Sequence, residues 1–232
     1  MLDKAFEALK TYDWGQDPKV LKPIDDAVVA THGDADARQQ LENRLAEALK
    51  TDLNFDAKQF LCRKLMLVGT AASVPALTGL LSDKKLSHMS RYALERIPAP
   101  EAAKALRDAL PKLSGALKIG VIASLGVRQD AESVPLLAAL LSDSDPAVAR
   151  AAAAGLGAIR SPEATKALTQ GKPNPEAKSA AADAKLACAE TLLADGNSKD
   201  ALVVYKSMIG ADQPKHIKLA ATRGMLACAG KK

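Results

Sequence analysis

The side chains best suited to chemistry are few and scattered: three histidines (His32, His88, His216) and three cysteines (Cys62, Cys188, Cys228). A tetrahedral zinc site draws its ligands from close pairs such as Cys-x-x-Cys or His-Glu-x-x-His. No two of these six residues stand at such a spacing. No serine sits in a Gly-x-Ser-x-Gly turn, and no glycine loop leads into Lys-Ser or Lys-Thr to cradle a phosphate. Asp25-Asp26 is a lone acidic pair and reads as a solvated helix face. His32-Gly33-Asp34 reads as the end of one helix and the cap of the next, and His88, beside Met89, as a surface or half-buried side chain. The residues therefore predict no enzymatic activity, no catalytic residue, no metal and no cofactor.

Charge is the remaining resource. The net charge is +5, and residues 54–128 hold 12 Lys/Arg against 5 Asp/Glu, whereas residues 1–53 hold 7 against 11. Lys104, Arg107 and Lys112 fall at spacings of three and five and are predicted to share one helix; Arg96 and Arg128 fall in turns just before such helices. These five are the candidate contacts for an acidic partner, although an excess of this size is also what an ordinary solvated surface carries.

The elements that must position them are helical. Apolar residues make up 48% of the chain but aromatics only 3%, so the core is filled by Ala, Leu, Val and Ile, which suits closely packed helices. No apolar run approaches the roughly 20 residues that span a bilayer, and the opening Met-Leu-Asp-Lys-Ala-Phe-Glu is not a signal peptide. The chain is expected to be soluble: exported or periplasmic if a signal peptide has been removed, and otherwise cytoplasmic. Ser73-Val74-Pro75 and Leu80-Leu81-Ser82-Asp83 return 60 residues later as Ser133-Val134-Pro135 and Leu140-Leu141-Ser142-Asp143. Pro100-Glu101-Ala102-Ala103-Lys104-Ala105-Leu106 returns 62 residues later as Pro162-Glu163-Ala164-Thr165-Lys166-Ala167-Leu168. Leu67, Leu94, Leu125 and Leu156 are taken as the helix-ending leucines of a unit of about 30 residues, a length that suits a helix pair. In the clearest unit, Asp145-Pro146 and Ser161-Pro162-Glu163 each place a capping side chain before a proline tolerated in the first turn.

The segment from Asp145 to Ile159, Asp-Pro-Ala-Val-Ala-Arg followed by an alanine run and Leu156-Gly157, resembles the first helix of a bacterial HEAT-like repeat of the PBS-lyase type. One departure is Ala149, which separates Val148 from Arg150. The resemblance covers residues 55–170 and implies an all-α fold, a right-handed α-α superhelix of the HEAT, armadillo and tetratricopeptide kind. Residues 54–172 would hold four such repeats. Residues 1–53 would form an atypical helical cap, with Trp14 as an anchor packing onto the first repeat. After a hinge at Lys172-Pro173-Asn174-Pro175, residues 173–232 would add a hairpin and a final helix to one continuous solenoid. In that hairpin Gly196, Ala201 and Tyr205 match tetratricopeptide positions, while Met208 does not.

Leu-Ala-Cys-Ala occurs at Leu186–Ala189 and again at Leu226–Ala229. Both copies are expected on first helices of successive pairs, each cysteine serving as a small apolar filler. In the final helix Ile217, Ala221, Gly224 and Cys228 form one apolar stripe, leaving Leu219, Met225 and Leu226 on other sides, so further repeats or a second subunit are expected to cover it. The resemblance also implies the function: a non-enzymatic repeat scaffold whose concave face holds another protein or peptide. The second reading is an acidic-ligand or nucleic-acid binder using the basic middle. A module of a longer exported protein is a third. HEAT-like DNA glycosylases and bilin enzymes weigh less, because a base-flipping site needs aromatic side chains that this chain has in small number.

Overall fold

In the computed structural model, residues 1–210 and 213–230 are described. Among them the chain is all-α, with 14 α-helices, five short 3-10 segments and no strand. No helix of the described residues is long and apolar enough to cross a membrane. The helices group into two compact units, Met1–Leu113 and Ser114–Lys232, each a stack of helix pairs of the α-α superhelix class.

The first unit contains α1 (Leu2–Leu9), α2 (Lys22–Ala30), α3 (Ala35–Leu49), α4 (Phe55–Val68), α5 (Val74–Thr78), α6 (Ser87–Arg96) and α7 (Pro100–Ala109). The second contains α8 (Gly115–Val127), α9 (Val134–Leu140), α10 (Pro146–Ile159), α11 (Pro162–Gln170), α12 (Lys178–Ala194), α13 (Ser198–Lys206) and α14 (Lys215–Gly230). First helices pack on first helices, α4 on α6 and α8 on α10 on α12 on α14. Second helices form the other layer, α5 beside α7 and α9 beside α11.

The start signals act as expected. The side chain of Asp145 accepts from the amide of Ala147 at 2.8 Å, and Ser161 from that of Ala164 at 3.1 Å, each satisfying an N–H that the first turn leaves unpaired. Asp34 does the same for Ala37 at 2.9 Å, behind the turn at Gly33. The repeat register needs one correction. Leu67 is 52% exposed, whereas Leu65 is fully buried and stands 60 residues before the equally buried Leu125. The core leucines are thus Leu65, Leu94, Leu125 and Leu156; Leu67 lies on the outer face of the same helix.

The N-terminal segment is joined to the first repeat by a polar clamp on α3. Glu42, completely buried, accepts from the amides of Thr70 (2.6 Å) and Ser73 (3.1 Å) and from both their hydroxyls. One turn earlier Arg38 donates to the carbonyls of Val68 (3.0 Å) and Leu67 (2.9 Å). A single helix face therefore caps the end of α4 with a cation and the start of the next helix with an anion, as the helix termini require. Trp14 takes no part in this and is 89% exposed. The anchors of this segment are Ala5, Leu9, Leu21 and Ile24, and Trp14 sits in a loop that turns at Gly15 with φ of 84°.

In the second unit the segment around Lys172–Pro175 is tied down, contrary to its reading as a hinge. The Asn174 amide donates to Leu141 O at 2.8 Å and its side-chain nitrogen to Asp143 O at 3.0 Å. The first helices approach closely through small residues. A Cβ on Gly157 would lie 2.7 Å from that of Ala184 on α12, and one on Gly224 of α14 would enter the ring of Tyr205.

Replacing Glu42 by Ala should destabilise the first unit by about 3 kcal/mol, since it strands buried donors, with Glu42→Gln falling between. Gly224→Ala should cost about 2 kcal/mol through overpacking, confined to the second unit. Denaturant titration, resolved by unit, measures both.

Candidate functional site

Three of the five predicted contact residues converge. Lys104 and Arg107 lie on α7, and Lys112 in the 3-10 turn Leu110–Lys112 that follows it. They surround a carboxylate that the charge count did not single out. Lys104 Nζ lies 2.6 Å from Asp108 Oδ2. That hydrogen bond, followed by the charges of Lys104, Lys112 and Arg107, holds the Asp108 carboxyl below the usual range. The cluster is therefore three cations around one anion and weaker as an anion trap than its basic residues alone suggest.

The other two stand elsewhere. Arg96 is the last residue of α6, a first helix, with its guanidinium 5.7 Å from the centre of the Tyr92 ring, while His88 stacks on the same ring at 6.4 Å. Arg128 caps the C-terminus of α8, in the second unit.

Grooves form where second helices lie side by side. In the first unit a cleft of about 450 Å³ runs between α5 and α7, with Leu81 and Ala105 among its lining and Asp108 and Lys112 as its charges. In the second unit a cleft of about 220 Å³ lies between α11 and α13. Its apolar lining is Leu192, Val203 and Val204, and its polar lining includes Lys166, Thr169 and Asp200. Val203 is 64% exposed. Sequence reasoning missed Lys166, although the offset of 62 makes it the equivalent of Lys104. The difference lies one turn on: Asp108 corresponds to Gln170, so the intrahelical ion pair of α7 has no counterpart in α11. Among the described residues Lys166 has no ion-pair partner.

The cysteines are all free and buried. Burial pushes the Cys62 thiol up to about 12. Burial also raises that of Cys188, against a hydrogen bond from Thr165 and the charge of Arg160. A thiolate is the reactive form, so these sites are chemically quiet. Among the described residues no three His, Cys, Asp or Glu side chains are grouped to hold a metal ion. His216 faces Asp183 at 3.8 Å on the surface.

The native thiols should label slowly with a bulky reagent, and at pH 9, where an ordinary thiol is largely ionised, Cys62 should still label far more slowly than in the unfolded chain, because its raised pKa leaves it almost wholly protonated. Labelling of the native protein as fast as that of the unfolded chain would contradict the burial.

With this geometry in place, two comparisons become informative. The family model for HEAT repeats matches residues 112–187. Human deoxyhypusine hydroxylase, solved in complex with glycerol, is similar over 98% of this chain and 96% of its own, at 15% identity and a TM-score of 0.38. No curated protein matches the sequence. A likeness this distant assigns no reaction to the present chain. That structure is of an enzyme, and the expectation that the chain is not one is accordingly withdrawn. A stack of helix pairs can carry chemistry on side chains spread over several repeats, so a shortage of compact motifs excludes nothing. What is established is that residues 112–187 are similar to HEAT repeats.

Proposed function

We propose that the chain is a repeat scaffold that holds another protein or peptide on its second-helix face, in the clefts between successive second helices. The observation that carries this reading is the α11–α13 cleft, which joins an apolar lining of Leu192, Val203 and Val204 to Asp200 and to Lys166, without an ion-pair partner among the described residues. An apolar groove with a few convergent polar groups suits a side chain of a bound segment together with its backbone. The α5–α7 cleft supplies a second contact of the same kind, with Lys112 and Asp108 as its charges and Lys104 and Arg107 beside that carboxylate. Arg96 and Arg128 would add to the attraction of an acidic segment at longer range. The finer kinship we assign is to bacterial HEAT-like repeats of the PBS-lyase type. The α12–α13 hairpin is read as tetratricopeptide-like, on the turn at Gly196 and the burial of Ala201 and Tyr205.

A photoreactive side chain placed at Val203 should capture a partner from an extract of the source cells, while the same group at Ala123, exposed on α8, should not. The same group at Ala105, in the cleft of the first unit, should also capture a partner, and the double variant Lys104→Glu, Arg107→Glu should weaken that capture about tenfold and reduce its salt sensitivity. Equal adducts at Val203 and Ala123 would overturn the assignment of the second-helix face.

A further inference from the structure

The helix α14 has two faces of opposite fate. Ile217, Ala221, Gly224 and Cys228 are buried, and the helix packs through them on α12 and α13. On the opposite side Leu219 (57% exposed), Thr222, Leu226 (69%) and Ala229 follow one another at spacings of three, four and three, the rhythm of a helix–helix seam.

The internal repeat shows what such a face does. The offset of 40 that superposes the two Leu-Ala-Cys-Ala segments pairs Ala182, Leu186 and Ala189 of α12 with Thr222, Leu226 and Ala229 of α14. On α12 those residues belong to the core: Ala182 and Ala189 are buried in the cluster with Tyr205, Ile217 and Ala221, and Leu186 packs against it. They are the surface on which α13 and α14 sit. The same surface on α14 is exposed.

Charge selects the occupant. The sequence of α14 contains Lys215, Lys218 and Arg223 and no carboxylate. A second α14 set against it would oppose three cations with three. The acidic residues 1–53 of a second copy offer no substitute, because none of α1, α2 and α3 presents more than one exposed large apolar side chain, Val29 of α2 being the one. We infer that the outward face of α14 is a docking site for an amphipathic helix with acidic flanks, supplied by a partner protein, which lies on α14 as α14 lies on α12. Leu219 and Leu226 enter its apolar stripe, and the flanking cations meet its carboxylates. This contact is separate from the second-helix clefts and does not depend on them.

The probe is a fluorescent three-heptad peptide with leucine at positions a and d and glutamate at e and g, whose like charges oppose its own dimerisation. Its companions carry lysine in place of glutamate, or the same residues scrambled. Anisotropy with the full chain should show binding of the glutamate peptide, weakened by salt, with affinity at least tenfold lower for both companions. Leu219→Ser with Leu226→Ser should lower it at least tenfold at unchanged thermal stability, since both side chains are already exposed, and Lys218→Glu with Arg223→Glu should do the same. Equal binding of the glutamate and lysine peptides, or binding untouched by the serine pair, overturns the proposal. So does a dimer of the unmodified chain in sedimentation that the serine pair dissolves, because the occupant is then a second copy.

Discussion

The close approach of first helices through residues with little or no side chain is the constraint on which the second unit rests. Gly126 of α8 faces Gly155 of α10, and Gly157 of α10 faces Ala184 of α12, so tightly that an added Cβ at Gly126 would lie 3.2 Å from the Cα of Gly155. Backbones this near to one another leave no room for rings, which is why the core is made of Ala, Val, Leu and Ile and why aromatics make up only 3% of the chain. The one ring that enters this core, Tyr205, is accommodated by the missing side chain of Gly224. Dispersion gained over many small, well-fitted contacts replaces the large burial of a few aromatic ones.

Stacking of this kind treats the two helices of a pair differently. A first helix inside the stack is held by the helices before and after it, so its small residues and its cysteine are sealed away. A second helix has a free side, and the grooves between neighbours in that layer, α5–α7 and α11–α13, are where side chains of mixed character meet solvent. The first unit reaches the same arrangement by another means. There Glu42 and Arg38 bridge from α3 to the helix ends of the first repeat, and the directional hydrogen bonds of a buried carboxylate do what shape complementarity does in the second unit.

The charge pattern was half legible. Lys104 was found, and the offset of 62 that defines the repeat also pointed to Lys166, but only the structure shows that the first is paired with Asp108 and that the second has no ion-pair partner among the described residues. A count of basic residues cannot register a carboxylate one turn away that neutralises one of them. Nor can a search for compact motifs weigh an activity built from residues on several repeats.

Helix class, pair length and the location of caps were written in local sequence, because hydrogen bonds at helix ends and proline geometry act within a few residues: Asp145 and Ser161 cap where their order along the chain says they must. The burial of Cys188 and Cys228 was equally legible, since each falls at helical spacing from other small residues, Ala181 and Ala184 in one copy and Ala221 and Gly224 in the other. Trp14, Leu67 and Asn174 were decided by tertiary contact instead. Composition favours burial of a tryptophan, yet no neighbour covers the Gly15 turn; Leu67 and Leu65 differ only in which side of α4 meets α6; and a proline-flanked asparagine became a fixed point because the carbonyls of Leu141 and Asp143, some thirty residues earlier, accept its two donors. Local sequence sets which helices form and where they end. Which of their faces are covered depends on neighbours distant in the chain, and that is a property of the packed structure alone.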